Sequence, residues 1–212
     1  MKRLTAPLIA LIFLFACAAS ASAQFRYAPV VGVNINDLKF KQDIFAVDKT
    51  VSFQAGVMGE LMFPGIGFGI DFGLLYNQMG AKVDLSKREI WSSSGFGREN
   101  AMLHTLQIPV HLRFKWTRMN GLEDYIAPFV YGGPEFGILA GHSTFKGTSG
   151  EHPFKYAGGD LGLAVGGGFE LLKRWQVSVQ YTWGMTYIAK TRKLDDFSAQ
   201  NRQLAVRVAY MF

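Results

Sequence analysis

Cysteine is all but missing from this chain: Cys17 is the only one in 212 residues. It lies in the first apolar run, so the rest of the chain can build no disulfide and no cysteine-based metal site. Long apolar runs are missing as well. Beyond residue 24 none approaches the ~18 residues of a crossing helix, which excludes a helical membrane protein. No long Lys/Arg cluster occurs either, and with it goes the expectation of a nucleic-acid partner. His142 and His152 flank a glycine-rich stretch without metal-ligand spacing, so they read as solvated loop residues. No metal, cofactor or catalytic constellation is signalled.

The first residues carry a different signature. Met1-Lys2-Arg3 is a basic start, Leu4 to Ala19 an apolar run, and Ala21-Ser22-Ala23 a small-x-small cleavage site before Gln24. The expected organisation is a signal peptide over 1–23 and one mature domain over 24–212. Removing Lys2 and Arg3, with no acid lost, takes the net charge from +6 to +4. A competing processing route exists. Leu14-Phe15-Ala16-Cys17 is similar to a lipoprotein box, which would keep Cys17 as an acylated first residue.

What the mature chain has in quantity is aromatic rings and glycine: 18 Phe, 8 Tyr, 4 Trp and 24 Gly. That favours pleated sheet over disorder, and the apolar residues alternate with polar or small ones. Val31, Val33 and Ile35 oppose Gly32, Asn34 and Asn36; Val51, Phe53, Ala55 and Val57 oppose Ser52, Gln54, Gly56 and Glu60. Phe68, Ile70, Phe72, Leu74 and Tyr76 oppose Gly69, Asp71, Gly73 and Asn77. Leu106 to Trp116, Leu161 to Leu171, Trp175 to Trp183 and Leu204 to Phe212 repeat the pattern. The segment from Tyr125 to Leu139 is less regular. Phe129 and Tyr131 share parity with Glu135, whereas Val130 shares it with Phe136 and Ile138, so a bulge is expected near Gly132-Gly133-Pro134.

Eight strands follow, and their connections alternate strictly between short and long. The short ones fall near Pro64-Gly65, after Thr117 and at Lys173-Arg174; the long ones span about 37–50, 80–101, 140–157 and 189–201. Outer-membrane barrels have short periplasmic turns and long outer loops. Rings collect where the interfaces would fall: Phe25, Tyr27, Phe63, Trp116, Tyr125, Trp175, Tyr210 and Phe212 on one side, Tyr76, Trp183 and Tyr187 on the other. The expected fold is all-β: an eight-stranded antiparallel up-and-down transmembrane β-barrel in a Gram-negative outer membrane, both termini periplasmic. The competing reading is a soluble lipocalin-like barrel, which would turn its apolar face inward.

Several stretches carry a resemblance. Thr105-Leu106-Gln107-Ile108-Pro109-Val110, Ala127-Pro128-Phe129-Val130-Tyr131-Gly132-Gly133-Pro134, and Asp160 through Gly168 resemble the PorT-like outer-membrane β-barrel family of Bacteroidetes. Tyr181-Thr182-Trp183-Gly184-Met185 and the terminal Tyr210-Met211-Phe212 fit it too. The resemblance implies an outer-membrane barrel, with Tyr210 and Phe212 as the signal read by the barrel-insertion machinery. Some members of that family are associated with protein secretion and gliding.

Eight strands leave an interior that side chains can fill, so a general diffusion pore is not expected. The inward Glu60, Asp71, His111, Arg113, Asp160, Glu170 and Arg207 are expected to pair as a polar network in the lumen, because unpaired charge there is costly. Gly166-Gly167-Gly168 lies mid-strand with no helix after it, so it is read as close packing and not as a phosphate cradle. The loop from Gly80 to Ala101 mixes Lys82, Lys87, Arg88 and Arg98 with Asp84, Glu89 and Glu99, and reads as a solvated outer loop. The functional expectation is a non-enzymatic structural or interaction barrel. Its expected partners are outer-membrane lipids, the barrel-insertion machinery and envelope or secretion proteins. Two alternatives remain beside it: a component of a protein secretion apparatus, and a lipid-modifying enzyme in which lipid-facing His104 acts as general base.

Overall fold

The computed structural model describes residues 24–40, 46–63, 65–84, 98–142, 154–156, 158–191 and 198–212. The expected leader, Cys17, His152 and most of the loop from Gly80 to Ala101 lie outside them.

Eight long strands form the wall: β1 (Gln24–Phe40), β3 (Thr50–Met62), β4 (Phe68–Asp84), β5 (Arg98–Lys115), β6 (Ile126–His142), β8 (Gly159–Leu171), β9 (Trp175–Thr191) and β10 (Ser198–Tyr210). Two three-residue strands, β2 (Ala46–Asp48) and β7 (Phe154–Tyr156), pair with β4 and β9. Each wall strand pairs antiparallel with the next. The last closes on the first, with Val33 opposite Val206 and Ile35 opposite Leu204. Closure leaves no free edge, which any sheet crossing a bilayer requires.

Side-chain parity decides which face meets lipid. Val31, Val51, Phe72, Val177 and Val206 stand exposed on the outer wall, with Leu112 at 70% and Val31 at 60%. The inward positions on the same strands hold Asn34, Gln54, Glu60, Asp71, Gln107, His111, Arg113, Gln180 and Arg207, all buried. A soluble barrel has the opposite polarity, so the lipocalin-like alternative fails. Leu112→Arg on the bare wall is therefore expected to cost about 2–4 kcal/mol if that position lies near mid-bilayer. Urea unfolding in lipid vesicles reads this directly; a cost near zero would place Leu112 in water.

Gln24 and Phe212, the first and last described residues, lie at the end that carries the short turns. Gln24 pairs with Met62, and Phe212 donates its backbone N–H to Tyr27 O at 2.9 Å. The turn between β8 and β9 is Leu172-Lys173-Arg174, which contains the expected Lys173-Arg174. Leu172 and Lys173 have positive φ, 50° and 59°, and Arg174 N–H closes the turn on Leu171 O at 3.1 Å. Positive φ at both residues is unfavourable for non-glycine side chains. Outside contacts hold it: Leu172 N–H donates to Tyr125 O, and Lys173 Nζ lies 2.6 Å from Asp124 Oδ1. The hydrogen bond and charge of Asp124 raise the Lys173 pKa above the ordinary lysine value. Gly67 meets a similar demand at φ 75°, where a Cβ would also run into Lys115 O.

At the other end the strands run further than hydropathy indicates. The register sets Asp48 opposite Lys82 and Asp84 opposite Arg98, so β4 and β5 continue into the segment expected as loop. The expected bulge at Gly132-Gly133-Pro134 is absent. Pairing of β6 with β8 runs without a shift from Ile126–Leu171 to Ile138–Gly159, and the irregularity beside β6 falls at His104/Thr105 instead. The parity conflict resolves differently: Phe129 and Tyr131 point inward with Glu135, while Val130, Phe136 and Ile138 face out. Gly166 makes the room. A Cβ there would sit 2.6 Å from the Tyr131 ring, which accounts for one glycine of the run as close packing.

Candidate functional site

Strand pairing stacks the inward polar residues into three layers. The layer nearest the termini centres on Glu60. Arg26 stands opposite Glu60 across β1 and β3, and Asp71 stands opposite it across β3 and β4. Adjacent rungs therefore carry opposite and like charge in turn, and cations from elsewhere must complete the set. Arg113 from β5 does so. Its Nη1 reaches Glu60 Oε2 and its Nε reaches Asp71 Oδ2, both at 2.7 Å, while the guanidinium lies 4.2 Å from the centre of the Phe129 ring. Lys115 Nζ bridges Glu60 Oε1 and Glu170 Oε2 at 2.8 Å each, and Arg26 Nη2 bridges the same two carboxylates at 2.5 Å. Gln176 Nε2 donates to both. Three carboxylates face three cations, so the layer is neutral although nearly all of it is buried.

The middle layer centres on Glu135 of β6. Gln180 Nε2 donates to Oε1 at 2.8 Å, Gln107 Nε2 and Thr182 Oγ1 donate to Oε2 at 3.0 and 3.1 Å, and Arg207 Nη2 reaches Oε1 at 3.4 Å. His111 Nε2 stands 3.3 Å from Oε1, with its ring stacked on Tyr131 at 5.2 Å. The third layer is uncharged. Asn34 donates to Asn77, Asn77 to Gln203, Gln203 to Asn36 and Asn36 to the Ser52 hydroxyl, in a chain of bonds between 2.6 and 3.2 Å. Leu75, Met79, Leu103 and Phe129 fill the gaps.

Of the seven expected network residues, Glu60, Asp71, Arg113 and Glu170 meet in the first layer, and His111 and Arg207 in the second. Asp160 joins neither. Its carboxylate takes the space a Cβ on Gly137 would need, and it makes no ion pair among the described residues. Glu135, the hub of the second layer, and Arg26 join the network beyond the seven residues expected. Parity alone points Arg26 inward with Gly32 and Asn34. Glu135 was obscured by Phe129 and Tyr131, whose bulk on the same face looks like an outward stripe.

The closing residues form an aromatic cluster. Tyr210 packs edge-on to Trp175 and Phe212 at 4.9 and 5.0 Å, accepts a bond from Arg174 Nη1 at 3.0 Å, and Phe212 stacks on Tyr27 at 5.4 Å. Phe25, Trp116 and Tyr125 are exposed at the same end. His104 shares the outward parity of Leu106 and Ile108, and its Nδ1 lies 2.6 Å from the Tyr76 hydroxyl. The hydroxyl on this ring nitrogen is thus a phenol at the interface girdle, not a serine or threonine.

The chain is similar over 89% of its length to 99% of Ail, the attachment invasion locus protein of Yersinia pestis, at 15% identity and a TM-score of 0.47. It is similar over 88% to 98% of Neisserial surface protein A, at 10% identity and 0.45. The outer membrane enzyme PagL shares 10% identity, with 83% of this chain and 97% of that one covered and a TM-score of 0.37. None of the curated proteins matches. The pattern of one family, described as Outer membrane protein beta-barrel domain, matches residues 18–190. With that match over most of its length, the chain belongs to the outer membrane protein beta-barrel domain family.

Proposed function

We propose that this outer-membrane barrel is a closed, non-enzymatic scaffold that holds its long loops at the cell surface to contact other envelope components. One observation carries the reading. Two ion-paired layers span the lumen, one around Glu60 and one around Glu135, and this supports strands that enclose packed side chains and not a channel. A rigid plugged wall transports nothing, and what varies freely on such a wall is its loops. The short-turn end, with Tyr210 and Phe212, faces the periplasm in this reading, and the opposite end faces outward. Outer-membrane lipids surround the wall, and the barrel-insertion machinery reads the terminal aromatics. The pairing of His104 with Tyr76 suits an interface anchor and supports the absence of acyl-transfer chemistry. The PorT-like likeness of the strands around Gln107, Tyr131 and Gly166 belongs to the same proposal, with envelope or secretion proteins as the loop partners.

Replacing residues 85–97 and 143–153 by short Gly-Ser linkers tests it in cells. The barrel should still insert and keep its heat-modifiable migration, yet fail to restore whatever envelope defect deletion of the gene produces. Full restoration by the loop-replaced chain would place the function in the wall instead.

A further inference from the structure

At the short-turn end the charges are unevenly matched. Lys173 is paired with Asp124, and Glu123 accepts backbone N–H bonds from Met119 and Gly121. Arg174, the next residue along the turn, bonds to no carboxylate among the described residues. Its side chain is exposed, and its Nη1 donates to the Tyr210 hydroxyl at 3.0 Å. A guanidinium carries five N–H donors in a planar fork, so one bond to a neutral phenol leaves most of them, and the charge, unmatched.

The backbone holds Arg174 in place from both sides. Its N–H is bonded to Leu171 O, and its carbonyl accepts from Met211 N–H at 2.7 Å. From there the outward face of β9 and β10 runs in a definite order. The first rung pairs Trp175 with Tyr210, rings edge-on at 4.9 Å, and the next outward rung pairs Val177 with Val208. Phe212 widens the aromatic layer, packing on Tyr210 at 5.0 Å. This order of cation, rings and aliphatic wall matches the phosphate, ester region and acyl chains of a glycerophospholipid, because amphipathic rings favour the headgroup level.

We infer that Arg174, steered by the Tyr210 hydroxyl, binds the phosphodiester of an acidic phospholipid whose acyl chains lie on Val177 and Val208. The fork of the guanidinium matches two phosphate oxygens. An acidic headgroup fits better than a zwitterionic one, since no carboxylate bonded to Arg174 is at hand to take an ammonium group. A free phosphate ion would gain the same fork but nothing from the rings and valines, so the lipid is the occupant. Placement in the periplasmic leaflet rests on the orientation proposed above, whereas the site itself does not. Symmetric vesicles therefore test the site alone, and its failure would leave the loop-scaffold reading untouched.

Quenching of Trp175 fluorescence by brominated lipid reads the site, in the full chain with Trp91, Trp116 and Trp183 changed to Phe. Phosphatidylcholine vesicles carry a minor fraction of brominated phosphatidylglycerol or, in the parallel series, brominated phosphatidylcholine. The acidic lipid should be preferred beside Trp175 by about fivefold, the ratio that ~1 kcal/mol per membrane-facing cation gives. Arg174→Gln should bring the ratio near one, whereas Arg118→Gln, on the connection between β5 and β6, should leave it unchanged. Equal quenching by the two lipids, or a preference that survives Arg174→Gln, would overturn the site. An equal loss in Arg118→Gln would reduce it to general surface charge, and a preference abolished by inorganic phosphate would make the occupant a free anion; either also overturns it. Should the glutamine variant fail to insert, Arg174→Lys keeps the charge without the fork and should lose about half of the preference or more. A full preference in that variant would contradict the bidentate contact.

Discussion

Arg113→Ala is expected to destabilise the barrel by about 3–5 kcal/mol, because it strands two buried carboxylates at once. Arg113 gives Nε to Asp71 and Nη1 to Glu60, and it lies on Phe129, so no nearby cation can take over both bonds. Lys115 and Arg26 can still compensate Glu60, but neither is paired with Asp71. The loss should therefore concentrate on Asp71. Arg113→Ala combined with Asp71→Asn should recover part of the stability, since the second change removes the stranded charge. The midpoint of urea unfolding, followed by heat-modifiable migration, measures both. A single-variant cost below about 1 kcal/mol would show that water reaches the layer and screens it.

Glu135→Leu is the second large effect, expected in the same range of about 3–5 kcal/mol. Five side chains converge on this carboxylate, and Arg207 has no other anion among its described contacts. Leucine fills a similar volume but leaves Arg207 unneutralised and takes the acceptor from Gln107 Nε2 and Thr182 Oγ1. Adding Arg207→Met should restore much of the loss, because an apolar pair in a packed interior can match an ion pair of the same size. If the double variant is no better than Glu135→Leu, the cost lies in the amide and hydroxyl donors and not in the charge.

The wall was legible in the sequence because period-two alternation marks strands with one apolar and one polar face, and the alternating short and long connections pointed to lipid on the apolar side. Val31-Gly32-Val33-Asn34-Ile35-Asn36 shows this in miniature. Strand ends were less legible. Asp84 and Arg98 read as loop by hydropathy, but cross-strand register sets them opposite one another and carries the sheet past the apolar band. The inner aromatics misled for a different reason. Phe129 and Tyr131 obey the alternation but belong to the lumen, and only the glycine opposite, Gly166, reveals why a ring fits there. The membership of the polar layers needed three dimensions. Glu60 and Glu170 are 110 positions apart, yet Lys115 holds both. Parity says that each points inward; only the register says at which height, and height separates Glu60 from Glu135 and leaves Asp160 with neither.

The central claim is that the lumen is closed, and current across a planar bilayer tests it most directly. Purified wild-type barrel inserted at neutral pH should give no steady unitary steps, since the Glu60 and Glu135 layers set paired side chains across the lumen. Reproducible, large open-channel steps from the wild-type chain would contradict the account and make the protein a transporter.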